Sequence, residues 1–423
     1  MVVEGWKTDR RTEQLKLTLD SFGNIVILNG MNCIIISIDG LHRGFFGCFG
    51  NTWIQTPAAD TLAAQSVLFD GYHTSTLKLS ASLSSLWNYR KTPVLQTLAE
   101  QGIETFWLTS SEALFLNEHT DGFSKRFYIN RFDADLPVDT LEQTEFYRSV
   151  LQLIETARRQ TKHWKTNQDK QFFLWMHLPG FRGLWDFPSS YRNKHRHIKD
   201  DPPPYMEVHP PKFLTVDSPE NIGFYLPDRI QSVVEAYSGG IAVLDDSLAM
   251  LLDAAENGDF GNNTAIILFS VRGFSIAEHG KIGITDDYYS ENIGLPLFIR
   301  FPQNICAENR SSVLLTQNDL AEFFTEIHSG IDKNPPHIAS LVLENAEESS
   351  LRKYIKFAGT SSQKAVITPD WFFRQVSETQ LSEQKVTFEL YVKPDDYWEV
   401  NNVASRCPEI VESLVAEFFS AEC

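Results

Sequence analysis

Residues 33–40 read CIIISIDG, and this stretch decides the fold. A nearly continuous apolar run that ends in Asp39 and Gly40 is typical of a central parallel strand, which is covered on both faces and carries a site residue at its carboxyl end. Residues 264–269 form a second apolar run, which leads directly into SVRG at residues 270–273. The sequence therefore predicts a sheet whose buried strands end in loops that carry site positions.

Helical and strand patterns alternate along the chain. Residues 103–108, 172–177 and 296–300 are apolar runs of strand length. Residues 233–255 place apolar side chains at steps of three and four, as an amphipathic helix does. This alternation predicts an α/β fold with a mostly parallel central sheet flanked by helices.

The carboxyl-terminal part of the chain has a different pattern. Residues 385–392 are typical of an edge or hairpin strand and residues 408–419 of a closing amphipathic helix, which together predict a small α+β subdomain. We expect an amino-terminal extension over residues 1–31, an α/β domain over residues 32–345 and the subdomain over residues 346–423.

Charge and cysteine content limit the partners and the compartment. The chain of 423 residues carries a formal net charge of −18, so it repels nucleic acids and anionic membranes, and neither is an expected partner. Its five cysteines are scattered, and its first residues lack a signal-peptide core. The apolar run of residues 25–38 is broken by polar residues and is too short to span a bilayer. We therefore expect a cytoplasmic protein.

Several short blocks of sequence occur in a recognisable order. They are ISIDGL at 36–41, GCFGN at 47–51, QTPAADTLA at 55–63, VLFD at 67–70, TLAE at 97–100, the helical stretch 237–253, EHG at 278–280, PLFIR at 296–300, ELY at 389–391 and NNVA at 401–404. Together they resemble the sulfatase family, within the alkaline phosphatase superfamily, over about residues 32–420. The resemblance implies an alkaline phosphatase-like fold. In an active member it also implies hydrolysis of sulfate esters with calcium and a formylglycine nucleophile.

The resemblance also marks the positions at which the family holds its metal. Paired acids follow the family's first strand, and an Asp-His or Asp-Asn pair follows the later one. This chain has Asp39 and Gly40 at the first pair, and Val271 and Arg272 at the second. A hydrocarbon and a permanent cation cannot coordinate a hard metal. Asp39 is then the only retained ligand, and we expect no metal and no other cofactor.

The catalytic positions implied by the resemblance differ as well. The nucleophile position falls on Leu79 and the arginine of the maturation motif on Leu83, and a shift of one residue would place Ser80 at the nucleophile position. Attack on sulfur or phosphorus needs a nucleophilic oxygen, which leucine lacks. The other positions are occupied by His177 and His279, which are retained, and by Arg182 and Ile284, which replace a histidine and a lysine.

The surviving polar residues have more than one possible role. We expect Asp39 to serve in a salt bridge or turn rather than as a metal ligand. Arg272 either fills the space of the lost cation and pairs with Asp39, or extends into solvent. His279 either orients a leaving group or is a hydrogen-bonded buried histidine, and His177 is expected to pack at its strand end. Arg182 and Arg272 are the candidates for binding an anion.

The resulting prediction is a sulfatase-like pseudoenzyme, catalytically inactive, with a binding, regulatory or structural role. One alternative is an active sulfuric or phosphoric ester hydrolase with a non-standard site, which would use calcium. Another is a metal-free hydrolase in which Ser80 acts with His279 and an oxyanion clamp of Arg182 and Arg272. A third is a partner subunit of an active sulfatase.

The expected partners are a protein or an anionic sulfated ligand. A local basic run at residues 192–199 stands out in this acidic chain. Such a run could contact an anionic glycan, but a solvated loop is the commoner structure, and we expect a loop here.

Overall fold

The computed structural model describes most of the chain. The described residues are 18–19, 25–26, 31–89, 92–117, 120–131, 136–164, 171–196, 204–211, 214–215, 227–283, 285–327, 338, 351–357, 363–380 and 383–419. Most of the expected amino-terminal extension therefore lies outside them, as does Ile284, the position expected for the family's lysine.

A central sheet of eight strands organises the protein. In chain order the strands are β1 (Asn32–Ile38), β2 (Val67–Phe69), β3 (Glu104–Thr109), β4 (Lys125–Tyr128), β5 (Phe172–Leu178), β6 (Thr264–Ser270), β7 (Leu297–Arg300) and β8 (Asn309–Ser311). Their order across the sheet is β8-β2-β7-β6-β1-β5-β3-β4. Neighbouring strands are parallel, except that β7 runs antiparallel to both β2 and β6. The prediction of a mostly parallel sheet is thus confirmed.

Strand β1 lies at the centre of the sheet, between β5 and β6. Its last residue, Ile38, pairs with Leu178 of β5 and with Ser270 of β6. Because the three strands are parallel and end in register, the loops that follow them emerge together at one edge. This carboxyl edge is where the predicted site residues lie.

Helices cover both faces of the sheet. In the described part of the chain they are α1 (Pro57–Ala64), α2 (Leu79–Trp87), α3 (Val94–Glu100), α4 (Glu112–Phe115), α5 (Glu145–Trp164), α6 (Ser189–Arg192), α7 (Pro227–Glu256), α8 (Ser290–Ile293), α9 (Gln317–Glu326) and α10 (Pro408–Phe418). Helices α1 and α5 pack on α7, and helices α2 and α3 pack on α9.

The sheet separates two apolar layers. Ile34 and Ile36 of β1 belong to the layer that contains α5 and α7, whereas Cys33 and Ile35 belong to the layer that contains α2, α3 and α9. Successive residues of a strand point to opposite faces, so a continuous apolar run supplies both layers. The run at residues 33–38 is apolar for this reason.

The carboxyl-terminal subdomain is built on a second, antiparallel sheet. Its strands β9 (Ile355–Phe357), β10 (Gln363–Ile367), β11 (Trp371–Gln380) and β12 (Glu383–Val392) pair in chain order. One face of this sheet packs on α10. On the other face Tyr391 belongs to the same apolar cluster as Tyr288 of the large domain. The predicted α+β subdomain is confirmed, while its boundary at residue 346 stays a prediction.

No helix in the described part of the chain is long and apolar enough to cross a membrane. Cys33, Cys48, Cys306 and Cys407 are free thiols. Cys33 lies inside β1, where burial raises the pKa of its thiol, so the thiol stays protonated at neutral pH.

Candidate functional site

The carboxyl edge of the central sheet brings four of the predicted site residues together. Asp39 follows β1, His177 lies near the end of β5, Arg182 lies in the turn after β5, and Arg272 follows β6. The loops after β1 and β6 are also joined through their backbones, because the N–H of Gly40 donates to the carbonyl of Arg272 at 2.8 Å. The relative positions of Asp39 and Arg272 are thereby fixed.

Arg272 contacts Asp39 with two donor groups. Its Nε donates to Oδ1 of Asp39 at 3.1 Å, and its Nη2 donates to Oδ2. Its Nη1 donates to the carbonyl of Leu77 at 2.9 Å. The Asp39 side chain is 2% exposed and the Arg272 side chain 13%, so the pair is shielded from water. Of the two arrangements that the sequence left open, the structure shows Arg272 paired with Asp39 and not extended into solvent.

Arg182 adds a second cation beside the carboxylate. Its Nε lies 3.7 Å from Oδ1 of Asp39. Its Nε and Nη2 donate to the carbonyl of Gly273 at 3.1 and 2.8 Å. Burial lowers the pKa of Arg182 to about 10, against the opposing effect of Asp39, so the guanidinium remains charged at neutral pH. Its buried Nη1 has no hydrogen-bond partner among the described residues.

The two arginines keep Asp39 ionised and occupy its oxygens. Burial alone would raise the pKa of this carboxyl, but the charges of Arg272 and Arg182 outweigh burial and hold the pKa below its ordinary value. A metal ion would have to displace a guanidinium to reach the carboxylate. Within the described ranges, no group of three or more His, Cys, Asp or Glu side chains is placed to hold a metal. These donors do not fit the calcium site that the family implies.

The backbone at Gly40 leaves little room for the family's second acid. Gly40 has a φ of +83°, a left-handed conformation that favours glycine. A Cβ atom at this position would lie 3.0 Å from Cγ of Arg182. An aspartate here would therefore strain the backbone and crowd the arginine.

His177 is buried close to this cluster. Its Nδ1 lies 2.9 Å from Oγ of Ser37, and its ring stacks on Trp107 with centroids 6.1 Å apart. Burial lowers the pKa of His177 to about 4, the charge of Asp39 opposes the change, and that of Arg272 adds to it. His177 is thus a packed, neutral imidazole at neutral pH.

We expect the ring of His177 to stay neutral until the pH approaches 4. Because this pKa lies below the ordinary value of 6.5, protonation favours the unfolded state, and His177 destabilises the fold as pH falls from 6.5 towards 4. An NMR titration of the imidazole nitrogens tests this, with His177→Gln to assign the signal. Titration of this ring near 6.5 would contradict the buried environment.

The positions aligned with the family's nucleophile segment are mainly packing sites. Leu83 is fully buried, and Leu79 packs half-buried against the same apolar layer. Val271, which stands at a metal-ligand position of the family, is fully buried in that layer as well. Ser80 is exposed on α2, and in the described part of the chain no side chain hydrogen-bonds its hydroxyl. These four residues provide no nucleophile with an activating base beside it.

His279 is held between two acceptors. Its Nδ1 lies 3.1 Å from Oε1 of Glu291 and its Nε2 lies 3.2 Å from the carbonyl of Glu399. Its ring stacks on Tyr289 at a centroid distance of 3.6 Å. Burial alone would lower the pKa of His279, but the contacts with Glu291 and Glu399 outweigh burial and raise the pKa. Nδ1 is engaged by Glu291 and Nε2 by the carbonyl of Glu399, so His279 links the two domains and is not a free base.

Arg192 corrects the expectation of a solvated loop at residues 192–199. The Arg192 side chain is fully buried, because its donors are satisfied by backbone carbonyls. Residues 197–199 lie outside the described residues. The carbonyls that accept from Arg192 are those of Trp185, Phe187, Tyr205 and Glu207. Arg192 therefore cross-links a folded segment instead of contributing to an exposed basic surface.

The sequence matches the family model named Sulfatase over residues 31–327. This match spans most of the chain, and the chain belongs to the sulfatase family, within the alkaline phosphatase-like superfamily. The resemblance stated from the sequence blocks is thus confirmed. Comparison with functionally curated proteins gives no match.

Solved structures with the same fold include two phosphonate monoester hydrolases and one complex with a sulfated sugar. The hydrolase of Agrobacterium radiobacter has 15% sequence identity and a TM-score of 0.67, with 92% of this chain and 95% of that chain covered. The hydrolase of Silicibacter pomeroyi has 12% identity and a TM-score of 0.65, with 92% and 94% covered. A protein in complex with its substrate D-glucosamine-2-N,6-O-disulfate has 15% identity and a TM-score of 0.64, with 92% and 97% covered. At these identities the likeness establishes the fold alone.

Proposed function

We propose that this protein is a catalytically inactive sulfatase homologue, a pseudoenzyme with a binding or regulatory role. The observation that carries the proposal is the contact of Arg272 with both carboxylate oxygens of Asp39. The guanidinium of Arg272 thus pairs with Asp39, the one acid that the chain shares with the family's metal site. A cytoplasmic location and a protein or sulfated-anion partner are part of the proposal.

The chemistry of the arginine supports inactivity. A metal ion activates a nucleophile, polarises the ester and orients it through open coordination positions. A guanidinium has only N–H donors and no position that a water or hydroxyl can bind as a ligand. All three nitrogens of Arg272 already donate to Asp39 or Leu77. Three of its five N–H groups are therefore used within the chain, which leaves few for a substrate oxygen unless the cluster opens.

The arrangement of Ser80 and His279 gives no support to a metal-free hydrolase. A general base must come within about 3.2 Å of the proton that it removes. Both nitrogens of His279 are engaged, one by Glu291 and one by the carbonyl of Glu399. Ser80 is exposed, and its hydroxyl has no basic partner among the described residues.

We expect purified protein to carry less than stoichiometric calcium, magnesium or zinc. We also expect it to hydrolyse 4-nitrophenyl sulfate and 4-nitrophenyl phosphate no faster than buffer does, because neither metal nor nucleophile is in place. Elemental analysis and a chromogenic assay at neutral pH measure both quantities on the same preparation.

Two variants serve as controls for trace activity. Asp39→Asn removes the retained acid, and Ser80→Ala removes the hydroxyl that a shifted alignment favours. Contaminating hydrolase would act equally in all three preparations, which leaves the proposal standing. Stoichiometric metal, or turnover that either variant abolishes, would show an active enzyme and refute the proposal.

A further inference from the structure

A cavity of about 440 Å³ lies between the large domain and the carboxyl-terminal subdomain, and we call it the seam pocket. The large domain contributes Arg43, Asp70 and Arg310, and the subdomain contributes Lys393 and Tyr397. The volume falls within the range of pockets that bind small organic molecules. No lining residue belongs to the Asp39 cluster, so the seam pocket is a separate feature.

The seam pocket carries a surplus of positive charge in an acidic protein. Its lining contains the cations Arg43, Arg310 and Lys393 and one carboxylate, Asp70. Arg310 engages both oxygens of Asp70, at 2.7 and 2.5 Å. Lys393 contacts Oε1 of Glu399 at 2.8 Å. The charges of Arg310 and Lys393 are therefore balanced within the chain.

Arg43 is the cation that lacks a counter-charge. It is 7% exposed, and its Nη1 donates to the backbone carbonyl of Asp70 at 2.8 Å. Among the described residues no carboxylate forms an ion pair with it. A buried charge without a partner is unfavourable, and a bound anion would remove that penalty. The local field acts on His73, whose pKa is lowered to about 3 by burial and further by Arg43 and Lys393.

Tyr397 places a hydroxyl beside Arg43. The guanidinium carbon of Arg43 lies over the Tyr397 ring, 4.7 Å from its centroid. Burial raises the pKa of Tyr397, and Arg43 acts in the opposite direction. The hydroxyl is buried, and among the described residues no acceptor lies in position to receive its O–H. Since buried tyrosine hydroxyls usually have a partner, a ligand oxygen is a suitable one.

We propose that the seam pocket binds a small organic anion, with a carboxylate, phosphate or sulfate head that contacts Arg43 and Tyr397. The organic part would lie on the apolar wall formed by Phe49, Leu314 and Ile367. This inference goes beyond the proposed function, because it concerns none of the residues that decide turnover. Both domains line the pocket, so a ligand would also raise the unfolding temperature of the whole chain.

Calorimetric titration of the full-length protein with benzoate, phenyl phosphate and phenyl sulfate tests the proposal and separates the three head groups. Phenol, which lacks the charge, is one control, and formate, inorganic phosphate and inorganic sulfate, which lack the aromatic part, are the others. We expect at least one of the three organic anions to bind about tenfold or more tightly than phenol and than the small ion with the same head group, as a buried charged hydrogen bond implies. If none of the three shows this preference, the proposal is wrong.

Substitutions of lining residues test whether the anion binds in the seam pocket. Arg43→Gln is expected to weaken binding about tenfold or more, and Tyr397→Phe about threefold. Arg159→Gln is the matched control, since it removes the same charge from an exposed helix position and should leave affinity unchanged. If circular dichroism shows Arg43→Gln to be unfolded, Tyr397→Phe decides, because it keeps the ring. Unchanged affinity in Tyr397→Phe, or equal loss in Arg159→Gln, would overturn the proposal.

Discussion

Replacing Arg272 by alanine is expected to lower the free energy of unfolding at pH 7 by about 3 kcal/mol or more, because it leaves a buried carboxylate without its main partner. Asp39 is 2% exposed and would lose two hydrogen bonds. The Nε of Arg182, 3.7 Å from Oδ1 of Asp39, would still offset part of the buried negative charge. We therefore expect a loss of stability near the lower end of the range for a broken buried ion pair. Urea denaturation followed by tryptophan fluorescence measures the change.

The pH dependence of this loss has a definite sign. In the native protein the pKa of Asp39 is lowered, so its contribution to stability is present above the ordinary carboxyl pKa and is lost as pH falls. In the Arg272→Ala variant the largest charge that opposes burial is gone, so we expect the pKa of Asp39 to rise and ionisation to destabilise the variant as pH rises. The difference between the two proteins should therefore be largest at neutral pH and shrink towards pH 4.

Two further variants control the experiment. Arg159→Ala breaks an exposed ion pair with Glu155 and should change stability by less than about 1 kcal/mol. Removing both charges in Asp39→Ala/Arg272→Ala should cost less than removing Arg272 alone, since no unpaired carboxylate remains. Equal stability of the native protein and Arg272→Ala would show that Arg272 does not substitute for a cation.

Replacing Gly273 by alanine is expected to destabilise the fold by about 3 kcal/mol or more, through a clash that the chain cannot relieve by turning a side chain. A Cβ at this position would lie 1.9 Å from the carbonyl oxygen of Glu291 and 2.8 Å from Cα of Asn292. Both contacts are backbone atoms of α8. The loop after β6 would have to move, and with it the Gly273 carbonyl that accepts from Arg182. Urea denaturation and soluble yield measure the outcome.

Gly122→Ala is the matched control for this substitution. Its Cβ would meet Cδ1 of Leu95 at 3.1 Å, and the end of a leucine side chain can move. We expect a change of less than about 1.5 kcal/mol. A Gly273→Ala protein as stable as the control would show that the loop after β6 does not approach α8 as closely as described.

The elements of the fold were largely predictable, whereas their arrangement was not. The buried strands β1, β5 and β6 each leave a continuous apolar run in the sequence, which local reading detects. Their neighbours in the sheet are set by contacts between distant parts of the chain: Ser37 pairs with His177 in one direction and with Phe269 in the other. No local pattern encodes such pairing, and the antiparallel insertion of β7 beside β6 could not be foreseen.

The candidate site shows the same division. The residue types at positions 271 and 272 are enough to predict that these two side chains cannot hold a metal, because coordination chemistry depends on the side chain alone. The partner of Arg272 remained open, since the choice between Asp39 and solvent depends on how two loops meet. For His279 the deciding acceptor is the carbonyl of Glu399, which is 120 positions away along the chain. The seam pocket was missed because residues from both domains form it.

The contact of Arg272 with Asp39 also determines whether an ion must be exchanged with the solvent at this position. A metal ion in this role would bind and leave, and a chelator could remove it. Arg272 is tethered by covalent bonds, so its effective concentration beside Asp39 does not fall on dilution. The pairing of Arg272 with Asp39 therefore does not depend on the supply of any ion. In return it offers no vacant coordination position, and a scaffold of this kind can keep its shape in conditions where a metal-dependent relative would lose its metal.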